Sequence, residues 1–588
     1  MTRPRAALAV LGTLALGCGS RARPAAAPTA TPSPAATPSP ALARLPDLPT
    51  ARVVGTPRFL SAAACDRCHL ALPGEPALRD AAGRDVSPRT AWAASMMALA
   101  AREPYYLAAL SRELAARPDA QDTIERTCLR CHAPAGELER AATGATLGLP
   151  DLLSGTSTVA ELAREGVGCT LCHGLAPDGL GSEASFTGGF ALAAGRVQFG
   201  VHDAPLAMPM QMMTKYTPVP SAHLGQSVLC APCHTVLTHA LDARGQPTGP
   251  ELPEQTTYLE WQNSDFDDQR PAATRSPRAA PCQRCHMPGH DRDGAAIVTA
   301  LSTRPPGLPA RAGYGRHSFT GGNVYMLRLM AADPAAHGGE PTAAALHAAA
   351  SDAAALLAGA AAITVTTPAT PTTPAGQRAL AVRIDNLTGH KLPTGYPTRR
   401  MWLHLTVRDA AGHVVFESGA HRAGALHAPA ARRFGAPGAR LDPPGAILPH
   451  RDVITAPDQV QVWEAVPTDA AGRRTHLLLA ATALAKDDRI LPAGYRTEHS
   501  SAARTQPRGA GLAADADFVA GSDTVTYRFG APAGPLRADL ELLYQSVTPD
   551  TLEDYRPVAT AAAQSFVLAT TGRPPDPVVM ARASTTLP

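Results

Sequence analysis

The sequence predicts an α+β protein with two folded parts, a mostly helical or irregular domain followed by an antiparallel β-sandwich of immunoglobulin-like type. Two observations lead to this prediction. Ten of the 11 cysteines fall in repeated C-x-x-C-H segments between residues 65 and 286. Beyond residue 360, apolar and polar residues alternate, which is typical of strands. A chain of 588 residues is too long for one ordinary domain, so we expect the boundary where the cysteines stop.

The first eighteen residues, 1–18, are predicted to be an export signal. Arg3 and Arg5 form a short basic start, and the apolar run that follows is too short to span a bilayer. The run ends in Ala15-Leu16-Gly17-Cys18, which resembles a bacterial lipoprotein box and implies lipidation of Cys18. The alternative is an ordinary cleaved signal with an incidental cysteine. Residues 19–55, rich in Pro, Ala and Thr, are expected to form an extended tether.

The pentapeptide C-x-x-C-H occurs five times in the predicted domain of residues 56–340. The copies are Cys65-Asp66-Arg67-Cys68-His69, Cys128-Leu129-Arg130-Cys131-His132, Cys169-Thr170-Leu171-Cys172-His173, Cys230-Ala231-Pro232-Cys233-His234 and Cys282-Gln283-Arg284-Cys285-His286. Two thiols at this spacing can each form a thioether with one vinyl group of a porphyrin, and the following histidine then binds its iron. The sequence therefore predicts five covalent c-type haems with the five motif histidines as ligands.

A C-x-x-C pair can also bind zinc, act as a redox dithiol or form a disulfide. A zinc ribbon would need two such pairs about 15–20 residues apart, and these motifs are more widely spaced. A redox dithiol or a disulfide does not require the histidine that follows every motif here. The haem interpretation explains all five copies at once.

Two longer helices are predicted around the motifs, and a third is predicted to end this domain. Residues 104–117 carry an apolar stripe of helical period. Thr158 and Glu161 fit a capping box at the start of a helix leading to Cys169. Residues 341–359 are predicted to be a connecting helix, rich in alanine and ending at Gly359.

Residues 360–550 are predicted to form the β-sandwich, and residues 551–588 a C-terminal segment outside it. Leu380, Val382 and Ile384 alternate with polar or small residues, and Leu403 and Leu405 do the same. Strands are therefore predicted at residues 380–385 and 402–407, and further strands at residues 414–416, 460–463, 477–484, 524–529 and 540–544. Short strands separated by turns are typical of an immunoglobulin-like sandwich.

Five segments beyond the motifs carry a further signal. They are Trp92-Ala93-Ala94-Ser95-Met96-Met97-Ala98, Glu254-Gln255-Thr256-Thr257-Tyr258-Leu259-Glu260-Trp261, His317-Ser318-Phe319-Thr320-Gly321-Gly322-Asn323, Asn386-Leu387-Thr388-Gly389-His390-Lys391-Leu392-Pro393-Thr394-Gly395 and Lys486-Asp487-Asp488-Arg489-Ile490-Leu491-Pro492. With the motifs, they resemble the cytochrome c554-like group of multihaem cytochromes c and bacterial multihaem cytochromes with a C-terminal β-domain. The resemblance covers most of residues 60–550.

Each of the five predicted haem irons needs a sixth ligand. The resemblance implies a ligand at His223 and one after Trp-x-x-Ser, where this chain has Met97 in place of the family's histidine. A His/Met site would have a higher potential than a bis-histidine one; the alternative is that Met97 and its neighbour Met96 only pack. His317 and His390 lie in glycine-rich segments that allow close approach to a flat cofactor, and are further candidates.

The remaining histidines are given lesser roles. His202, His239 and His290 are kept as reserve ligands. The others considered, His404, His413, His421, His427, His450, His476 and His499, are predicted to face solvent on strands and loops.

Electron transfer in the cell envelope is the leading functional prediction. The net charge of +3, from 53 basic and 50 acidic residues, gives no reason to expect nucleic-acid binding. No segment after the export signal is apolar enough to cross a membrane. We expect a periplasm-facing or outer-membrane lipoprotein whose partners are redox proteins, other cytochromes or envelope reductases, with the membrane reached through the lipid.

Two alternatives remain open. One is a pentahaem oxidoreductase with an open haem site that acts on a small nitrogen or sulfur species. The other is a β-domain that binds a partner or surface polymer, with Trp402 and Trp463 as candidate contacts.

Overall fold

The computed structural model describes residues 42–145, 147–367, 377–429 and 438–588. Its helices are α1 Asp66–His69, α2 Pro88–Ala93, α3 Pro104–Ala116, α4 Gln121–His132, α5 Pro134–Thr143, α6 Leu149–Ser154, α7 Thr158–Arg164, α8 Cys169–Cys172, α9 Ala207–Thr214, α10 Ala231–His234, α11 Thr257–Gln262, α12 Cys282–His286, α13 Val324–Ala331, α14 Ala343–Ala358, α15 Ala502–Thr505, α16 Pro549–Tyr555 and α17 Ala561–Thr570. Short 3₁₀ turns lie at Ala62–Ala64, Pro118–Ala120, Glu183–Ser185, Ala222–Gly225, Ser227–Leu229, Ala272–Thr274, Pro334–His337, Leu478–Ala480 and Leu512–Ala514.

The strands are concentrated in the second half of the chain. They are β1 Val197–Gly200, β2 Thr217–Pro220, β3 Val236–Leu241, β4 Pro247–Gln255, β5 Ala361–Thr366, β6 Gln377–Asn386, β7 Arg400–Arg408, β8 Val414–Ser418, β9 His421–Arg422, β10 Ala425–Leu426, β11 Val453–Ile454, β12 Val462–Thr468, β13 Ala483–Asp487, β14 Ser522–Gly530, β15 Leu536–Gln545 and β16 Val578–Leu587. Helices in the first half and antiparallel sheets in the second confirm the α+β class.

The longer helices lie close to their predicted positions, with one different cap. Helix α3 begins after Glu103, whose carboxylate accepts hydrogen bonds from the amides of Tyr105 and Tyr106. The N-cap of α7 is Ser157 rather than Thr158, because the Ser157 hydroxyl accepts a bond from the Ala160 amide at 3.1 Å. The prediction placed this cap one residue too late.

Two sheets face each other across one core. The four-stranded sheet has the order β11-β14-β6-β5, and the six-stranded sheet has the order β13-β12-β7-β15-β16 with β8 paired to β7. Leu380 and Val382 of β6 and Leu403 and Leu405 of β7 are fully buried in the same apolar cluster. Within these two sheets, pairing is antiparallel except between β11 and β14. The immunoglobulin-like connectivity stays a prediction.

Two predicted strands differ from the structure. The predicted strand at 460–463 begins later and runs further, as β12. The predicted strand at 477–484 is a 3₁₀ turn at Leu478–Ala480 followed by β13. Both segments are apolar because they are buried, and burial alone does not distinguish a strand from a packed turn.

The C-terminal segment belongs to the fold of both halves. Strand β16 pairs along β15 in the six-stranded sheet. Helix α17 packs on α3, where the hydroxyls of Ser111 and Thr560 are 2.7 Å apart and Tyr105 contacts Phe566. The described residues form one compact unit. Among them, no helix has both the length and the apolarity needed to cross a bilayer. The predicted export signal and Cys18 lie outside the described residues.

Candidate cofactor and metal centre

All five C-x-x-C-H motifs lie on or next to helical turns. Four are on the short helices α1, α8, α10 and α12, and the second motif forms the end of the longer α4. Residues three and four apart share one face of a helix. Each motif therefore presents its two thiols and its imidazole to one side, as the spacing predicts. All ten motif cysteines are free thiols.

Each motif histidine is fixed by a hydrogen bond at Nδ1. The acceptors are Leu301 O for His69 at 2.8 Å, Ala100 O for His132 at 2.9 Å, Phe199 O for His173 at 2.6 Å, Gln255 Oε1 for His234 at 3.1 Å and Thr320 O for His286 at 2.6 Å. An acceptor at Nδ1 places the proton there and leaves the Nε2 lone pair free. Metal-binding histidines have this arrangement.

Burial keeps most of these imidazoles neutral. Desolvation lowers the pKa of His69, His132, His173 and His234 below the usual histidine value. The neutral ring is the form that binds a metal. The motif histidines are thus prepared as ligands in protonation state as well as in orientation.

His173 and His317 face each other in nearly parallel planes. Their ring centres are 6.3 Å apart and their planes differ by 14°. His317 Nδ1 is 2.9 Å from Gly315 O, so its Nε2 is free as well. Burial lowers the pKa of His317 to about 4.

His286 and His390 repeat this geometry, with ring centres 6.4 Å apart and planes 25° from parallel. His390 Nδ1 is 2.9 Å from Lys391 O and 3.2 Å from Thr388 Oγ1. Burial lowers the pKa of His390 to about 4. His390 belongs to the loop after β6, so this pair joins the two halves of the chain.

The spacing of both pairs fits two imidazoles on opposite sides of one metal atom. Each ligating nitrogen would lie about 2 Å from the metal and each ring centre about 1 Å further, which puts the centres about 6 Å apart. The donor set of two thiols and two imidazoles in each of these sites fits a covalently attached haem.

Thiols of different motifs are in contact. Interaction with Cys65, Cys282 and Cys131 raises the pKa of Cys169, Cys230 and Cys233, respectively. The first motif is thus next to the third, the second next to the fourth, and the fourth next to the fifth. Cys172 also raises the pKa of Cys230 and Cys233, so the third motif lies near the fourth. The five motifs form one continuous group.

A buried ion network supports His390. Lys391 Nζ is 2.7 Å from Asp487 Oδ2, and Arg489 binds both Asp487, at 2.7 Å, and Glu260, at 3.1 Å. Glu260 also accepts bonds from the Lys391 amide at 3.1 Å and the Thr394 hydroxyl at 2.6 Å. These residues come from three of the segments that carry the family resemblance. Although burial opposes ionisation, Arg489 and Lys391 hold the pKa of Glu260 and of Asp487 below the usual range.

Gly389 allows this segment to press against the first domain. A Cβ at this position would lie 2.9 Å from Phe266 Cβ and 3.1 Å from Trp261 Cδ1. Such contacts are too short for any side chain. Glycine is thus required by the approach that brings His390 opposite His286.

The other candidate ligands stand differently. Both ring nitrogens of His223 are engaged, Nδ1 with Ser221 Oγ at 2.7 Å and Nε2 with Leu175 O at 3.0 Å; in this arrangement it offers no free nitrogen. Met97 packs against the apolar cluster that contains Phe59 and Leu171, and Cys172, from the motif whose histidine faces His317, packs against the same cluster. Ligation by Met97 stays a prediction.

His69, His132 and His234 have no second histidine ring facing them among the described residues. The ring of Tyr106 instead stacks on His132, with centres 4.0 Å apart and planes 5° from parallel. The Tyr106 hydroxyl is buried and has no hydrogen-bond partner within the described ranges. The described residues therefore supply a histidine pair at two motifs and leave three with a single imidazole.

Three further histidines are buried. The sequence analysis did not single out one of them, and it predicted that the other two face solvent. His337, just before Gly338 and Gly339, is buried, and desolvation lowers its pKa to about 4; its glycine-rich context resembles that of His317 and His390 and was a usable signal. His450 and His476 are buried rather than solvent-facing, which corrects the prediction for both. Asp488 and Asp515 cover His450, and helix α16 covers His476 through Thr551 and Asp554. A local sequence pattern does not report such distant contacts.

No family profile and no curated protein matches the chain. Among solved structures, a penta-heme cytochrome c552 from Thermochromatium tepidum aligns over 90% of this chain and 99% of its own, with 17% sequence identity and a TM-score of 0.45.

Proposed function

We propose that this protein is a five-haem c-type cytochrome that transfers electrons between redox proteins of the bacterial cell envelope. The observation that carries the proposal is the presence of two pairs of opposed histidines, His173 with His317 and His286 with His390. In all four residues Nδ1 is hydrogen-bonded to a backbone carbonyl and Nε2 is free. Haem, when bound, supplies reversible one-electron chemistry at iron.

The roles of the side chains follow from their positions. The ten motif cysteines would form the thioethers to haem, and the five motif histidines would bind the irons. His317 would supply a second imidazole to the site of His173, and His390 a second imidazole to the site of His286. Two imidazole ligands favour a low reduction potential. A carbonyl that accepts a hydrogen bond from Nδ1–H makes the imidazole more basic, and this lowers the reduction potential further.

Transfer of electrons needs cofactors that lie close together. The contacts Cys65–Cys169, Cys131–Cys233 and Cys230–Cys282 place every motif beside at least one other. A single isolated redox site would need none of these contacts. The grouping favours a protein that passes electrons between separate surfaces.

The cellular setting extends the proposal. Residues 1–18 direct export, Cys18 carries the lipid, and the tether that follows links the folded part to a membrane. Residues 42–55 of the predicted tether belong to the folded part instead, because Leu48 is buried in an apolar cluster and Arg52 pairs with Glu161 at 2.9 Å. The partners are other cytochromes or envelope reductases, on the periplasmic or the outer-membrane side.

A pentahaem oxidoreductase is the second candidate. Three motif histidines favour it, because among the described residues no second histidine ring faces them. They are His69, His132 and His234. One such site, left open, would accept a small nitrogen or sulfur species. The binding-module alternative loses its proposed contacts, because Trp402 and Trp463 are both fully buried in the sheets.

Intact-mass spectrometry of the mature protein tests the proposal. We expect the mass of the chain plus five haems, and a Cys282→Ala/Cys285→Ala variant should carry four. The contrary result is a haem-free mass lowered by three disulfides, at Cys65–Cys169, Cys131–Cys233 and Cys230–Cys282, since the same thiol contacts would allow those bonds.

A further inference from the structure

The sandwich contains a buried cluster of one histidine and several aspartates that the haem proposal does not use. His450 lies just before β11, Asp515 lies in the loop before β14, and Asp523 is on β14. The ligand atoms of these three residues all lie within 4.8 Å of one another. His450 and Asp523 are buried, and Asp515 is half-buried.

His450 is held between two carboxylates, and the side-chain amide of Gln461 lies 2.9 Å from its Nδ1 and donates to Asp488 Oδ2 at 3.0 Å. Its Nδ1 is 3.0 Å from Asp488 Oδ2, and its Nε2 is 2.8 Å from Asp515 Oδ2. The Asp488 carboxylate is itself positioned by the Glu464 amide, which donates to Oδ1 at 2.9 Å. With a proton on Nδ1, the Nε2 lone pair points at an anionic oxygen. Only a second proton or a cation can make that contact favourable.

Asp523 has a carboxylate oxygen that lacks a partner. Trp463 Nε1 donates to Asp523 Oδ2 at 2.6 Å, which orients the group. Asp523 Oδ1 is buried and accepts no hydrogen bond in the described part of the chain. A buried anionic oxygen without a partner is costly. A proton on His450 would satisfy Asp515 but would leave this oxygen as it is.

The charge around the cluster is strongly negative. Asp452 and Asp517 form a second group with Asp515, again with ligand atoms within 4.8 Å of one another. The nearby cation, Lys486, is 3.4 Å from Asp488 Oδ2 and also bonds Glu464 and Val462. Among the described residues, Asp515 forms an ion pair with His450 alone, and Asp523 forms none. A divalent ion would offset this charge.

We propose that His450, Asp515 and Asp523 bind a divalent metal ion of the class that accepts mixed nitrogen and oxygen ligands, Zn²⁺ or Mn²⁺. Imidazole favours the transition ions, and two carboxylates balance a charge of two. Asp488 is the positioning residue, because its bond to Nδ1 sets the tautomer that turns Nε2 to the metal. The ion joins β14 of one sheet to the loop that carries His450, while Asp488 and Trp463 connect it to the other sheet.

The competing explanation is a doubly protonated His450 bound by Asp488 and Asp515 with no metal. The two explanations differ at Asp523. A metal needs its carboxylate as a ligand, whereas a protonated His450 bound by the other two aspartates does not.

Metal content of the full-length, haem-loaded protein, purified without chelator, is the test. Elemental analysis should find about one Zn²⁺ or Mn²⁺ per chain in addition to haem iron. After dialysis against EDTA, calorimetric titration with Zn²⁺ or Mn²⁺ should show one site, and its filling should raise the thermal unfolding temperature. Haem iron, read in the same sample, makes failure of this proposal distinguishable from failure of the haem proposal.

Matched variants locate the site. Asp523→Asn should weaken the titrated affinity by more than about 100-fold, and Asp488→Asn by about 10–100-fold. Asp458→Asn, at an exposed loop position, should leave it unchanged. His450→Gln serves as a second ligand variant if Asp523→Asn does not fold, and should lose binding equally.

Three outcomes would overturn the proposal. The first is folded wild-type protein that neither retains nor binds Zn²⁺ or Mn²⁺. The second is unchanged affinity in Asp523→Asn or, if that variant does not fold, in His450→Gln. The third is binding of Ca²⁺ alone, indifferent to His450→Gln, which would mean an all-oxygen site.

Discussion

His286 and His390 face each other with ring centres 6.4 Å apart, one from the last C-x-x-C-H motif and the other from the loop after β6 in the sandwich. The two rings come from different halves of the chain, and each has its Nδ1 bonded to a backbone carbonyl. The second half of the chain thereby brings an imidazole opposite the histidine of the last motif.

Replacing His390 with methionine should change one of five haem potentials. A thioether ligand stabilises ferrous iron relative to imidazole. We therefore expect one midpoint potential to rise by on the order of 0.1 V, within the ~0.8 V range that axial ligands span. A spectroelectrochemical titration measures this. His413→Met, at an exposed turn, is the control and should move none. Five unchanged potentials in His390→Met would contradict ligation by His390.

Gly389→Ala should destabilise the protein and disturb the His390 site. The new methyl group would meet Phe266 and Trp261 at 2.9 and 3.1 Å, and overpacking of this kind costs about 1–3 kcal/mol. Denaturant unfolding gives the loss. Gly530→Ala, where a Cβ meets nothing within 4 Å, is the matched control and should stay close to wild type. Equal stability of the two variants would show that the segment yields without cost.

Asp487→Asn should lower stability at neutral pH and reduce acid sensitivity. Although burial opposes ionisation, the neighbouring Arg489 and Lys391 hold the pKa of Asp487 below the usual aspartate value of 3.8, so its ionised form stabilises the fold above that pH. This contribution is lost as pH falls below 3.8 toward the folded-state pKa. Breaking the buried pair should cost about 3–5 kcal/mol at pH 7, with the gap to wild type narrowing in acid.

Urea unfolding between pH 2 and pH 7 measures that gap. Asp458→Asn, exposed and outside the network, should follow the wild-type curve throughout. A gap between Asp487→Asn and wild type that is as large at pH 2 as at pH 7 would mean that Asp487 acts through packing rather than charge.

Glu254 should couple the potential of a haem to pH. Burial raises the pKa of Glu254 to about 7, and its charge acts on Cys128 of the second motif. As pH rises through 7 the carboxylate ionises, and a negative charge nearby favours ferric iron. We expect one midpoint potential to fall between pH 6 and 8, and Glu254→Gln to remove this slope. Glu251→Gln, an exposed neighbour on β4, should retain it. A slope that persists in Glu254→Gln would assign the proton to another group.

Local chemistry was readable from the sequence because it is encoded at fixed spacing. The C-x-x-C-H pentapeptide needs only one helical turn to place Cys65, Cys68 and His69 together, and alternation along Leu380, Val382 and Ile384 needs only one strand. The α+β class followed from these two periods. The glycine-rich segments around His317 and His390 also indicated residues that approach a second surface.

What the sequence did not provide depends on contacts between distant segments. His223 looked available until the fold brought Leu175 O to its Nε2, and His450 looked exposed until Asp488 and Asp515 enclosed it. Strand β16 reads as a tail because its partner is β15 rather than a local hairpin. Such outcomes are set by long-range pairing, and no short window of residues carries them.

Iron-edge anomalous diffraction from crystals of the mature protein tests the central claim most directly. We predict five iron peaks, one between His173 and His317 and one between His286 and His390, each about 2 Å from both Nε2 atoms. Fewer than five peaks, or no iron between either pair of rings, would contradict the account.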